Sequence, residues 1–180
     1  MDINGLAALR CWPITINLGG DQYRIGPRPA IDWIMPLIDE DWMRVVPGLL
    51  DRDAGSPLPA LLLSGMVQGA ECVRAARDAT EIAAGMSWWT AVRLVLSSTQ
   101  YADLSGQLVI DGVDATRVSL GAFTQATYRI MTRDADKKQR AKIDRSLEAR
   151  PAGLRSEEMY DPKRASDLFA QMARSRGISV

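Results

Sequence analysis

Ser87-Trp88-Trp89-Thr90-Ala91-Val92-Arg93-Leu94-Val95-Leu96 is the stretch on which the fold turns. Trp88, Ala91, Val92, Val95 and Leu96 recur at i, i+3, i+4, i+7, the spacing of one helix face. Ser87 stands where a side-chain oxygen caps the first amides of a helix. The pattern predicts a helix from Trp88 to about Tyr101. Upstream, Leu58 to Ala84 is rich in Ala, Leu, Met, Arg and Glu, all good helix formers. Gly65 and Gly69 weaken that run and divide it into two helices, and Gly85 is its stop. Downstream, Gly106-Gln-Leu-Val-Ile-Asp-Gly112 reads as a short extended or helical piece between glycines. Ser119 is a second N-cap, followed by Leu120, Phe123, Ala126 and Tyr128 to Ile130 at helical spacing.

Further out, Asp134 to Arg150 is charged on most faces and reads as a solvent-exposed helix. Asp134–Lys138 and Asp136–Arg140 are spaced to pair acid before base at i, i+4. Pro151-Ala-Gly153 breaks it. Asp161 to Arg176 holds Leu168, Phe169 and Met172, enough for a small amphipathic helix on a mobile tail. Towards the N-terminus, Cys11-Trp12-Pro13-Ile14-Thr15-Ile16-Asn17-Leu18 alternates as a strand does. Gly19-Gly20-Asp21 supplies the turn and Gln22-Tyr23-Arg24-Ile25 returns, which makes a β-hairpin. Pro29 suits the first turn of a helix that carries Ile31, Ile34, Leu37 and Ile38 to about Glu40, with Pro36 as a kink point inside it. A short helix from about Asp41 to Leu50 and a loop over residues 51–57 follow. The fold class is therefore mainly α: a helical domain with a short N-terminal β-hairpin. Residues 1–10 form a flexible lead-in, 11–132 the hairpin and helical domain, and 133–180 a charged helix and tail.

Composition narrows the chemistry. The 180 residues are 47% hydrophobic and 24% charged, an ordinary globular balance. Net charge is zero, so no overall field draws nucleic acid or an anionic membrane. That zero conceals a gradient: eight Arg against eleven acids in residues 1–100, then fourteen Lys or Arg against eleven acids in 101–180. The longest apolar stretch, Leu58 to Val67, is interrupted by Pro59, Ser64 and Gly65, well short of the ~20 residues of a membrane span. Two cysteines, Cys11 and Cys72, do not make a disulfide framework. With no signal-peptide pattern, the expected setting is a reducing cytoplasm.

Histidine is wholly absent. That removes the commonest general acid–base group and metal ligand, and with it every Ser-His-Asp or Cys-His arrangement. Gly19-Gly20-Asp21 lacks the Lys-Ser/Thr ending of a phosphate loop. Asp39-Glu40-Asp41, with Asp51 and Asp53, fits an acidic helix junction better than a magnesium site. Cys72 reads as a buried thiol rather than a nucleophile. No catalytic residue, metal ligand or cofactor is therefore expected. The residues singled out are Trp33, Met35, Trp42, Met43, Trp88 and Trp89, because aromatic and methionine side chains offer large, adaptable contact at binding surfaces. Trp88 and Trp89, being adjacent, cannot both enter one narrow core stripe.

These patterns together resemble the tail assembly chaperones of actinobacterial tailed phages. The residues that carry the likeness are Cys11 to Ile16, Tyr23-Arg24-Ile25, Pro29 to Trp33, Val46 to Leu50, Ser87 to Leu94, Gly112-Val113-Asp114 and Ser119 to Phe123. The resemblance spans roughly residues 11–130 and rests on apolar and turn positions, not on a catalytic signature. It implies a late viral protein that binds the apolar tape measure protein and keeps it soluble until the tail tube assembles. It also implies residence in the host cytoplasm, absence from the mature virion, and association with itself or with a frameshifted long form. The alternative reading is a virion component such as a head–tail connector or tail accessory protein. An enzyme built on Asp39, Glu40, Asp41 and Asp51 is the third reading.

Overall fold

The computed structural model describes residues 13–42, 45 and 64–151. Among them are six helices and one two-stranded antiparallel sheet, so the protein is mainly helical with a short N-terminal hairpin. Strands β1 (Ile14–Leu18) and β2 (Asp21–Ile25) pair with Ile14 opposite Ile25 and Leu18 opposite Asp21. Ile14, Ile16 and Leu18 are buried while Thr15 and Asn17 are exposed, the period of two that a one-sided strand requires. Gly19 and Gly20 close the turn at φ 60° and 87°, which only glycine adopts without strain.

A lone hairpin is marginal in water. This one is held by helix α2 (Gly69–Ala84), against which β1 packs. The Gly19 amide donates to Glu71 Oε1 at 2.8 Å. A Cβ at position 19 would lie 2.9 Å from Val67 Cγ2, so the turn also needs glycine for space.

Helix α1 (Ile31–Ile38) begins two residues after Pro29, not at it. Pro29 forms an isolated bridge with Ser119, and the amides of Ala30 and Ile31 donate to the carbonyls of Val118 and Ala115. Those amides would otherwise lack partners at a helix start. A distant loop thereby fixes where α1 begins. Pro36 lies inside α1 and the helix ends two residues later, followed by Glu40 at φ 49°. Trp33, Ile34 and Leu37 face the core; Ile31 and Met35 face outward.

Of the predicted run from Leu58, residues 58–63, and with them the first of its two expected helices, lie outside the described residues; residues 64–67 form a turn, with Gly65 at φ 71°, and α2 follows. The buried stripe of α2 is Cys72, Ala75, Ala76, Ala79, Thr80, Ala83 and Ala84, nearly all small, so neighbours approach its backbone closely. Gly85 ends it in the left-handed conformation at φ 68°. Across that corner Glu81 Oε1 accepts from the Trp88 amide at 3.1 Å, serving the start of the next helix.

Helix α3 (Trp88–Gln100) packs on α1, on α2 and on the three helices that follow it. Ser87 occupies its cap position, but the hydroxyl pairs with Thr90 Oγ1 at 2.7 Å instead of with an amide. Helix α4 (Ala102–Ile110) settles the ambiguous glycine-flanked piece as helix, with Gly106 inside it and Gly112 beyond its end at φ 73°. Helix α5 (Leu120–Thr132) starts as read, with the Ser119 side chain accepting from the Ala122 amide at 3.2 Å. Helix α6 (Lys137–Glu148) opens on a capping box, in which Asp136 takes the Gln139 amide and Gln139 takes that of Asp136. Asp136 is thus a cap, and Arg140 lies over the Tyr128 ring at 5.7 Å in place of the expected i, i+4 pair.

The described residues up to Ala149 belong to one compact unit. No helix among the described residues is long and apolar enough to cross a membrane. The expected lead-in at 1–10, most of the helix at 41–50, the loop at 51–57 and the tail beyond Pro151 lie outside the described residues.

Candidate functional site

The aromatic residues singled out from sequence divide by position on their helices. Trp33 is completely buried on the inner face of α1. Met35, two residues on, is 58% exposed on the outer face. Two residues apart on a helix is about 200° of rotation, so sequence neighbours need not share a surface. Met43 lies outside the described residues.

Trp42, Trp88 and Trp89 do come together. Trp42 and Trp88 meet edge to face with centroids 4.9 Å apart, and Trp88 and Trp89 do the same at 5.7 Å. The guanidinium of Arg77, from α2, lies 4.4 Å from the Trp88 ring centroid and 5.4 Å from that of Trp42. Burial lowers its pKa, and the Glu40 carboxylate opposes that effect. A cation held between indole faces keeps its charge partly desolvated, and the ring quadrupoles offset that cost. Arg77 was not foreseen, because nothing in sequence joins positions 42, 77 and 88.

Trp89 turns the other way. Its Nε1 donates to the Glu148 carbonyl at 3.3 Å. Thr90 Oγ1 donates to the Leu147 carbonyl at 3.0 Å. Arg93 Nη1 donates to the carbonyls of Ser146, Leu147 and Ala149 at 2.7, 2.9 and 2.5 Å. Three side chains of α3 therefore grip the last turn of α6, whose final carbonyls have no partner within the helix. Between α5 and α6 lies an open cleft of about 550 Å³, with Ile130, Met131 and Ile143 on its apolar side and Gln139 and Lys142 on its polar side.

The most exposed apolar side chains sit on α4. Val109 and Ile110 are 75% and 77% exposed, and Tyr101 just before the helix is 62% exposed. With Ala102 and Gly106 they form an outer stripe in which Asp103 is the one charged residue. Leu104 and Leu108 point inward. The sequence signal for this stripe is Leu108-Val109-Ile110. Three consecutive apolar residues on a short helix cannot all face one core.

The other chemistry-bearing groups are quiet. Cys72 is fully buried, and burial, followed by the nearby Glu71 carboxylate, pushes its thiol up to about 11. Arg74 and Arg77 do not make it a thiolate. The fold therefore holds a proton that the unfolded chain releases near the ordinary value of 9.0. This contribution to stability is intact below that value and shrinks as pH rises toward about 11. In mildly alkaline buffer, alkylation at position 72 followed by mass spectrometry should show protection in the native protein and rapid reaction in denaturant. Equal rates in both would place the thiol at the surface.

Asp39 and Glu40 are exposed at the end of α1, and Asp51 and Asp53 lie outside the described residues. Among the described residues no three Cys, Asp or Glu side chains gather as metal ligands. No protein-family model, curated protein or solved structure matches the chain.

Proposed function

We propose that the protein is a binding protein for an apolar helical client, acting as a phage tail assembly chaperone that covers the tape measure protein until the tail tube forms. The observation that carries this reading is the outer stripe of α4. Val109 and Ile110 stand about three-quarters exposed, beside exposed Ala102 and Gly106, while Leu104 and Leu108 of the same helix are buried. Small residues beside large apolar ones let a partner helix approach closely while its apolar face is covered. The patterns at residues 11–16, 23–25, 29–33, 46–50, 87–94, 112–114 and 119–123 together supply the family likeness that suggests the client. Repeated copies along one long client would add avidity without tight individual contacts.

Co-expression with the tape measure protein of the same genome is the test. The client should appear in the soluble fraction with this chain and in inclusion bodies without it. Equal solubility in both would overturn the reading. Val109→Asp and Ile110→Asp together should leave the circular dichroism spectrum and melting point nearly unchanged, because both side chains are already solvated. They should weaken client binding by about tenfold or more, since each puts a charge into an apolar contact.

A further inference from the structure

We infer that the outer face of α6 is a binding surface for nucleic acid, held through the phosphodiester backbone and not through the bases. The inference goes beyond the helical client and holds whichever client the α4 stripe covers.

Helix α6 carries the charge excess of the C-terminal part of the chain. Its five cations, Lys137, Lys138, Arg140, Lys142 and Arg145, stand against two acids, Asp144 and Glu148, a net of +3. Residues 101–180 as a whole carry the same +3, fourteen cations less eleven acids. The helix sorts these charges by face. Ile143 and Leu147 turn toward the protein, and Leu147 is buried. Lys138, Lys142 and Arg145, at i, i+4, i+7, are exposed with Ala141 beside them, and Lys137 is exposed at the start of the helix.

The acids that could neutralise this stripe are engaged elsewhere. Asp136 caps the helix by accepting from the Gln139 amide. Asp144 accepts from the Tyr128 hydroxyl at 2.6 Å. Among the described residues, no carboxylate lies within ion-pair distance of Lys137, Lys138, Lys142 or Arg145. A helix face that is merely solvated intersperses acid and base at i, i+4. Here four cations stand together over about 12 Å of helix axis, and no carboxylate offsets their mutual repulsion.

The surroundings select the partner. Among the described residues, the exposed large apolar side chains, Tyr101, Val109 and Ile110 foremost, lie on other elements, and the outer face of α6 offers none. A protein or a membrane would need an apolar anchor there. A phosphate polymer needs only cations. One strand of a DNA duplex presents a phosphate about every 3.4 Å of its axis, so the length of the stripe matches three or four of them. Such contacts position a protein on nucleic acid without reading its sequence. The chain's net charge is zero, so the attraction acts locally, within a Debye length of about 8 Å at physiological salt.

A short, labelled, mixed-sequence DNA duplex serves as the probe. Its binding to the full chain is followed by fluorescence anisotropy as salt is raised from about 50 to about 200 mM. Four phosphate contacts should give a log–log slope of affinity against salt of about −3 to −4, roughly a hundredfold loss across that range. Lys138→Gln, Lys142→Gln and Arg145→Gln together should bring the slope to about −1. The thermal midpoint should hardly move, because all three side chains are solvated. Arg24→Gln, Arg74→Gln and Arg117→Gln together remove the same net charge from exposed positions on the hairpin, on α2 and before α5. That control should leave the slope where it was. The inference is overturned if the duplex does not bind at the lowest salt, if the α6 variant keeps the parent slope, or if the control lowers it as much. Equal affinity for polyglutamate or for phosphatidylserine vesicles would overturn it too, since the surface would then take any polyanion.

Discussion

Trp33→Ala is expected to lower the free energy of unfolding by about 3–5 kcal/mol, a large part of the roughly 5–15 kcal/mol that holds a domain of this size together. Trp33 is the largest fully buried side chain among the described residues, and it sits where α1 meets the main core. Its removal leaves a void that the helices around it, fixed by their own contacts, fill only in part. The indole Nε1 is buried without a hydrogen-bond partner. Trp33→Phe therefore sacrifices volume but no hydrogen bond, and should cost much less than the alanine change. Met35→Ala, on the same helix but facing solvent, should stay within about 0.5 kcal/mol of the parent. Urea titrations of the three variants followed by circular dichroism read this directly. Equal costs at positions 33 and 35 would mean that α1 presents a different face to the core.

The second large effect is expected at Gly121. It lies in the first turn of α5, where a Cβ would stand 3.1 Å from the Ala83 carbonyl oxygen and 3.3 Å from that of Ala84. Both obstacles are backbone atoms at the end of α2, which cannot swing aside as a side-chain tip can. Gly121→Val should cost about 1–3 kcal/mol through overpacking, despite the better helix propensity of valine. Gly106, in the middle of α4, has nothing within 4 Å of its would-be Cβ. Gly106→Ala should accordingly stabilise by roughly 0.5–1 kcal/mol. Opposite signs at two helical glycines, measured as shifts in the thermal midpoint, test the close contact of α5 with α2. Destabilisation at 106 and tolerance at 121 would contradict the packing.

Much of this architecture was legible because its signals are local. The hairpin followed from the alternation of Ile14, Ile16 and Leu18 and from two glycines in the turn. The end of α2 followed from Gly85 and the start of α5 from Ser119. Local rules misplaced the start of α1, because the partners of the Ala30 and Ile31 amides are carbonyls some 85 residues away in sequence. They left α4 undecided, because the glycines that bound it resemble turn markers whether or not a helix lies between them.

The surfaces were less legible than the fold, and for a different reason. Residue type marked Trp33, Met35, Trp42, Trp88 and Trp89 equally, but exposure depends on helix rotation and on what packs opposite. Trp33 and Met35 part company on that ground alone. The stacking of Trp42 and Trp88 on Arg77 and the Arg93 grip on α6 join positions more than ten residues apart, which no periodicity can register. Val109 and Ile110 were visible in principle, as surplus apolar residues once α4 is accepted as helix.

The central position of α3 has a consequence for synthesis on the ribosome. The hairpin, α1 and α2 emerge before α3 and are available to it at once. Its contacts with α4, α5 and α6 are not, because α5 runs to Thr132 and α6 to Glu148. When α3 has cleared the exit tunnel, α5 and α6 are still inside it or not yet made, and Leu94 and Val95 are only partly covered. Final burial of that helix waits for release of the last turn of α6, so the interval between those two points of translation is when this chain is itself most in need of protection from aggregation.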